Sequence, residues 1–355
     1  MHQTRIAGLG SYLPENIVTN DDLAQKMNTS DAWIQERTGI RERRYASNFK
    51  ETTTTMGAKA AALAIERAGI QASEIDFIIF ATLSPDYYFP GCGVLVQRHL
   101  GITSTECGAL DIRNQCSGFI YGLSVADQFI KTGMYRNILL VGAEMHSMGL
   151  DFSDKGRNVT VIFGDGAGAV VLQPASSPGQ GILSTHLHAD GMHAEKLCTI
   201  SPGCHGGYHA DRLSEKVDYG FPETPFGGIF VTQTMVQDNL VVADMDGQFV
   251  FKMAVQKFPQ VIGEALHKNG MDPSAIDMFI PHQANLRISQ FVQKQLGLPD
   301  EKVWNNIQKY GNTTAASIPV ALCEAWENGK VREGDLVCLA AFGSGFTWGS
   351  ALIRW

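Results

Sequence analysis

Two stretches of this chain repeat, and the repeat limits what the chain can fold into. Residues 64–77, AIERAGIQASEIDF, lie over residues 265–278, ALHKNGMDPSAIDM, without a gap at an offset of 201. Ala64, Gly69, Ser73, Ile75 and Asp76 match Ala265, Gly270, Ser274, Ile276 and Asp277. Each copy reads as a helix stopped by glycine, a short turn and a buried apolar strand, Phe77–Thr82 in one and Met278–Pro281 in the other. A second pair follows. Residues 116–133 (CSGFIYGLSVADQFIKTG) and 312–329 (NTTAASIPVALCEAWENG) have equal length, end in glycine and stand at an offset of 196. Apolar, strand-like runs come next, Asn137–Gly142 and Asp335–Ala341, and then the glycine-rich segments FGDGAGAVVL and FGSGFTWGSAL.

Strands alternating with helices imply parallel sheet layers with helices packed on them. The segment after Cys116 is apolar on nearly every side, through Phe119, Ile120, Leu123, Val125, Ala126, Phe129 and Ile130. Such a helix is expected to lie between two sheets. The chain therefore reads as an α/β protein with a layered α/β/α/β/α fold built from two duplicated halves, 1–175 and 176–355. A pseudo-twofold axis then makes the helix starts at Cys116 and Asn312 equivalent, and His282 follows its strand as Ala81 follows the earlier one. Cys116, His282 and Asn312 are expected to converge near that axis.

Composition narrows the function. Apolar residues are 44% and charged residues 18%, as in a well-packed globular chain. A net charge of −8 argues against nucleic acid as a partner. Seven irregularly spaced cysteines read as reduced thiols. The start, MHQTRIAGLGSYLPE, lacks a signal peptide's apolar run, and no stretch is long enough to span a bilayer. The expectation is a cytoplasmic protein with no membrane partner.

The segments DIRNQCSGF, IPHQANLRI, KYGNTTAASIP and AFGSGFTWGSAL stand in this order. With GLGSYLPE and the terminal SALIRW, they resemble the β-ketoacyl-acyl carrier protein synthase III family of the thiolase superfamily over nearly the whole chain. The resemblance implies a thiolase-like fold and a homodimer. It implies an acyltransferase that loads an acyl-CoA onto Cys116 and condenses it with malonyl-acyl carrier protein in fatty acid biosynthesis. No cofactor or metal is implied, since the coenzyme A thioester is the substrate.

A thiol attacks as its thiolate, and a helix N-terminus lowers its pKa, so Cys116 is the expected nucleophile. Cys92, Cys107, Cys323 and Cys338 read as structural thiols. His282 and Asn312 resemble the family's pair that binds the malonyl thioester carbonyl, where two aimed donors stabilise the enolate formed as carbon dioxide leaves. The backbone N–H groups of Cys116 and Ser344 are the implied oxyanion hole for the acyl carbonyl. Many family members carry glycine where Ser344 stands.

TSDAWIQERTGIRERRY resembles the coenzyme A entrance. Trp33 can stack on adenine, Arg37 offers a fork for phosphate or base, and Thr29 is a polar nucleotide contact. Arg157 matches an arginine that closes over the adenine, with Lys155 as the competing choice. Asn285 resembles a position lining the pantetheine tunnel, Arg287 one at its mouth, and Phe342 a position of the substrate pocket. Lys252, Gln283, Arg287 and Lys294 are expected to dock the acidic carrier protein. FGDGAGAV lacks a P-loop lysine and precedes a strand, so it reads as close backbone packing.

Between STHLHADG and DGQFVFKMAV the chain is longer than a usual synthase III by roughly thirty residues, an insertion near 192–244 expected to cover or reshape the acyl pocket. Cys198, Cys204, His205 and His209 there make a metal site conceivable, but their spacing fits no tetrahedral knuckle. In SPDYYFPG, Tyr88 or Phe89 is expected to reach the dimer partner's acyl pocket. A related condensing enzyme of secondary metabolism, with a longer donor or another acceptor, is the close alternative. A thioester hydrolase using Cys116 and His282, and a subunit without activity, are more distant ones.

Overall fold

The computed structural model describes residues 3–47, 50–203, 231 and 233–355. The chain builds its first sheet from β1 (Thr4–Tyr12), β2 (Phe77–Ala81), β3 (Gly108–Ile112), β4 (Ile138–Glu144) and β5 (Gly166–Pro174). The second uses β6 (Gly181–Ala189), β7 (Met278–Pro281), β8 (Leu336–Gly343) and β9 (Thr347–Arg354). Their strand orders are β1-β5-β4-β2-β3 and β6-β9-β8-β7. Reading from β1 and from β6, the pairings run antiparallel, antiparallel, parallel in both sheets, so both are mixed and not the parallel layers expected: β9 returns beside β8 after a short connection, and β5 beside β4, neither by a crossover helix. The repeat seen in the sequence is thus a repeat of topology, with β3 added to the first sheet alone.

Local signals explain the helices that flank these sheets. Helix α1 (Thr53–Ala68) opens with a capping box between Thr52 and Thr55 and stops at Gly69, whose φ of 70° a residue with a side chain rarely adopts. Its counterpart α3 (Gly247–Lys268) is capped by Asp246, and Gly270 beyond it has φ of 66°. Between the sheets lie α2 (Gly118–Lys131) and α4 (Ser317–Glu327). Phe119, Ile120, Leu123 and Ile130 of α2 share one core with Ile318, Ala321 and Leu322 of α4 and with inward residues of both sheets. Burying a large aliphatic side chain stabilises the fold by about 1.5–3 kcal/mol, so this layer dominates the packing. The strands after the two central helices run two residues beyond their expected ends, to Glu144 and Gly343. Those added residues carry Glu144 and Gly343 to the site. Among the described residues, no helix is long and apolar enough to cross a membrane.

Candidate active site

Cys116 sits in a single 3-10 turn, Gln115–Ser117, which runs directly into α2. The matching turn, Thr314–Ala316, runs into α4 and corrects the expected equivalence: Cys116 corresponds to Ala315, and Asn312 lies just before the turn. Close packing joins the two segments: a Cβ on Gly118 would stand 3.6 Å from that of Ala315, and one on Gly142 would overlap the Ala315 carbonyl at 2.4 Å. The turn after β8 closes the third side, since a Cβ on Gly343 would lie 2.6 Å from the Cys116 Cβ. Ser117 Oγ lies 2.7 Å from Thr347 Oγ1, which donates to the Ser344 carbonyl at 3.2 Å. That pair ties the Ser344 turn to the nucleophile's segment.

His282 follows β7, and its N–H donates to Ala340 O in β8. Its Nδ1 is 2.6 Å from Ser317 Oγ, at the start of α4. Gln283 N–H donates to the same oxygen at 3.3 Å, and among the described residues Nδ1 is the one acceptor within reach of the serine's own hydrogen. The imidazole hydrogen is thereby assigned to Nε2, which is buried and has no hydrogen-bond partner among the described residues. Burial holds His282 far below an ordinary histidine, at about 3, so the ring is neutral and Nε2–H is a donor without charge. The Asn312 side-chain oxygen accepts from Thr314 N–H at 2.8 Å, which leaves its NH2 to donate elsewhere.

The thiol departs from expectation. Burial pushes Cys116 up to about 12, and the nearby Glu144 carboxylate adds to the rise. Backbone N–H groups of Cys116 and Ser344 act in the opposite direction. A helix start alone does not outweigh complete burial beside an acid, so the resting sulfur is a protonated thiol. Glu144 itself is raised to about 7 by burial, against hydrogen bonds from Ser84, Leu83 and Thr82. Cys92, Cys107, Cys323 and Cys338 are all buried.

At the entrance, Arg37 and Arg157 both lie over the Trp33 ring, at 4.5 and 4.8 Å from its centroid. The structure thus brings Arg157, rather than the exposed Lys155, against Trp33. Arg157 also donates to Asn28 O at 2.8 Å, and Asp154 accepts from Asn28 N–H, so the two loops are joined. Thr29 Oγ1 and Arg157 Nε are buried without partners among the described residues. Asn285 caps the helix Leu286–Leu296 and donates to the Arg37 carbonyl at 2.9 Å, linking entrance and tunnel wall. Phe342 is buried, 4.9 Å from the Phe346 ring centroid.

Gln283 corrects an expectation. It is buried, its amide donates to Pro281 O, and its oxygen accepts from Asn306 and Ile307 N–H, so it cannot meet a carrier protein. Lys252, Arg287 and Lys294 are exposed, and Arg287 lies 5.7 Å over the Phe251 ring. Ser317, Thr314, Glu144 and His146 were not singled out from sequence. Cys198 donates to Glu195 O, and no cluster of metal-ligating groups occurs among the described residues. Cys204, His205 and His209 lie outside them, with most of the expected insertion.

Known proteins resemble this chain over nearly its whole length. The family described as 3-oxoacyl-[acyl-carrier-protein] synthase III matches residues 110–191, and its C-terminal part matches residues 266–355. A β-ketoacyl-[acyl-carrier-protein] synthase III of Xanthomonas campestris pv. campestris is 44% identical over 352 residues, covering 99% of this chain and 98% of that one. The chain belongs to the synthase III family. A synthase III crystal structure from Aquifex aeolicus VF5 superposes with a TM-score of 0.85 at 42% identity, covering 99% of this chain and 100% of that one. The priming β-ketosynthase of the R1128 polyketide biosynthetic pathway follows at 30% identity and a TM-score of 0.83, covering 99% and 96%. The thiolase-like, duplicated layers expected from the sequence are the synthase III fold.

Proposed function

We propose that this synthase III relative transfers an acyl group from acyl-CoA to Cys116 and condenses it with malonyl-acyl carrier protein, opening fatty acid synthesis. The Cys116 sulfur attacks the thioester carbonyl, and the thiol proton leaves with coenzyme A. Ser344 and Cys116 N–H groups, which already bond the sulfur, are suited to hold the oxyanion formed there. Carbon dioxide then leaves the malonyl group, and its electron pair becomes an enolate. The enolate carbon attacks the acyl carbonyl, and collapse expels the Cys116 thiolate with release of the β-ketoacyl product; the thiolate then takes one proton from water and returns to the resting thiol. No further cofactor enters this balance.

Two observations carry the reading: a buried, neutral His282 whose Nε2 has no partner among the described residues, and an Asn312 amide whose oxygen is already engaged. Two uncharged donors stabilise an enolate oxygen without titrating near neutrality. Removing one such donor typically costs about 3–4 kcal/mol in the transition state. Acetyl-CoA should add one acetyl mass at Cys116, and Cys116→Ala should remove it. His282→Ala should spare this acylation and abolish condensation; equal loss of both steps would refute the assignment.

Other parts of the reading have their own supports. Trp33, Arg37, Arg157 and Thr29 are taken to hold the nucleotide, with Asn285 and Phe342 along the tunnel and pocket. Lys252, Arg287 and Lys294 suit an acidic carrier surface; Arg287 and Lys294 share a helix face, seven residues apart. We assign the active unit as a homodimer of chains with halves 1–175 and 176–355. Tyr88 and Phe89, 54% and 80% exposed, are side chains such a contact would cover. Cys92, Cys107, Cys116, Cys323 and Cys338 are free thiols, which suits the cytoplasm. The likeness to a polyketide priming ketosynthase keeps a second substrate reading. Products from acyl-CoAs of graded length would separate the two.

A further inference from the structure

His146 is buried beside the Asn312 segment, and the proposed reaction gives it no role. The motif FGDGAGA holds it in place. Asp165 accepts from the backbone N–H of His146, from Ser147 N–H at 2.9 Å and from Ala46 N–H at 2.8 Å. Phe163 packs on the imidazole with ring centroids 4.4 Å apart. So fixed, His146 Nε2 lies 2.6 Å from Thr314 Oγ1.

Thr314 is an unusual residue to find there. Its φ is 50°, in the left-handed region that β-branched residues seldom enter. In that conformation its N–H meets Asn312 Oδ1 at 2.8 Å. The Asn312 backbone is held separately, donating to Ile162 O at 2.9 Å and accepting from Gly164 N–H at 3.1 Å. What remains to be set is which end of the amide faces the reaction, and Thr314 N–H sets it.

We propose that His146 is a positioning residue for decarboxylation: its bond to Thr314 Oγ1 holds the left-handed turn that presents the Asn312 amide as a donor. The proposal rests on the assignment of Asn312 to the malonyl carbonyl. Burial keeps His146 neutral down to about 3, so the bond persists across the working pH range. Leucine fills a similar volume but leaves the Thr314 hydroxyl buried and unpaired.

The test compares two half-reactions in the full chain: release of carbon dioxide from malonyl-CoA, and acetylation of Cys116 by acetyl-CoA. His146→Leu and Thr314→Val should each slow decarboxylation tenfold or more while acetylation stays within twofold. Thr314→Ser should recover most of what Thr314→Val loses. The double variant His146→Leu/Thr314→Val should be no slower than either single, because both remove one bond. Additive losses, equal loss of both half-reactions, or an unslowed His146→Leu would overturn the role. If His146→Leu does not fold, the valine and serine variants at Thr314 decide by the same comparison. Wild-type chain that acetylates Cys116 but releases no carbon dioxide would instead refute the role given to Asn312.

Discussion

Gln115 and Thr314 each open the short turn that runs into a central helix, and both hold left-handed backbone, with φ of 43° and 50°. Gln115 stands one residue before Cys116, and Thr314 holds the Asn312 amide through its N–H. The turn that carries the sulfur and the turn that holds the amide are therefore one duplicated device. Gly311, one residue before Asn312, meets a stricter demand: its φ of 64° comes with ψ of −161°, a region open almost only to glycine, and a Cβ there would stand 2.8 Å from Ile162 O. Gly311→Ala should cost about 1–3 kcal/mol of stability and slow condensation, whereas Gln115→Gly should stay within about 1 kcal/mol of wild type. Denaturant melts of both variants check this; equal losses would show that Gly311 is under no greater backbone constraint than Gln115.

Ser317 should govern the chemistry of His282 without touching substrate. Its hydroxyl directs the imidazole hydrogen to Nε2, and Ser317→Ala frees the ring to place that hydrogen on either nitrogen. Decarboxylation of malonyl-CoA should fall about tenfold, equal to ~1.4 kcal/mol of transition-state stabilisation. Acylation of Cys116 should hold, because the sulfur has its own donors. Stopped-flow measurement of the two steps separates them, and a loss confined to acylation would contradict the tautomer argument.

Glu144 makes stability depend on pH in a direction opposite to most carboxylates. Its folded pKa is raised to about 7, from 4.5 for an ordinary glutamate. Below 4.5 both states are protonated; between 4.5 and 7 the folded chain retains a proton that the unfolded chain has lost. Stability from this group therefore falls as pH rises through that window, and the loss is complete above it. Glu144→Gln removes the titration, so the gap in melting temperature between variant and wild type should shift in the variant's favour from pH 5 to pH 7.5. A gap independent of pH would show that Glu144 is ionised throughout.

The duplication was legible because helix stops and strand starts recur in sequence at fixed offsets, and Gly69 and Gly270 mark the same turn. Cys116, His282 and Asn312 were legible because their segments resemble a known family. The supports of those residues were not. Ser317 and Thr314 are small polar residues in an apolar run, and only the fold shows which buried atom each one meets. His146 lies 168 residues from Thr314 and carries no local pattern. The lowered thiol expected at Cys116 failed for a related reason: a helix start is visible in sequence, but full burial beside Glu144 is not. Gln283 misled because its neighbours in PHQANLR include Arg287, which is exposed, while a strand-end residue only four positions earlier turns inward.

Arg157 and Arg37 both lie over the Trp33 ring, so an adenine stacking there as proposed would displace one guanidinium. Arg157 has its second anchor at Asn28 O, and its removal should weaken nucleotide binding more than reaction. Arg157→Ala should raise KM for acyl-CoA about tenfold, ~1.4 kcal/mol, with kcat within twofold. An acyl-pantetheine without the nucleotide should not distinguish variant from wild type. If it does, the arginine acts on the turn and not on the adenine.

Gln283 and Arg287 stand four residues apart and should fail in different ways. Gln283→Ala leaves the Asn306 and Ile307 N–H groups buried without an acceptor, and each orphaned donor costs about 1–3 kcal/mol. Its melting temperature should drop while the preference between carrier-bound and CoA-bound malonate stays unchanged. Arg287→Glu touches no buried group, so stability should hold within about 0.5 kcal/mol. Reversing a charge on the proposed docking face should instead raise KM for malonyl-acyl carrier protein roughly tenfold, an effect that shrinks as added salt screens exposed charges. KM for acyl-CoA should change less than twofold. A carrier KM that stays constant in Arg287→Glu at low salt would remove this face from the docking surface, and the exposed Lys252 and Lys294 would lose their assignment with it.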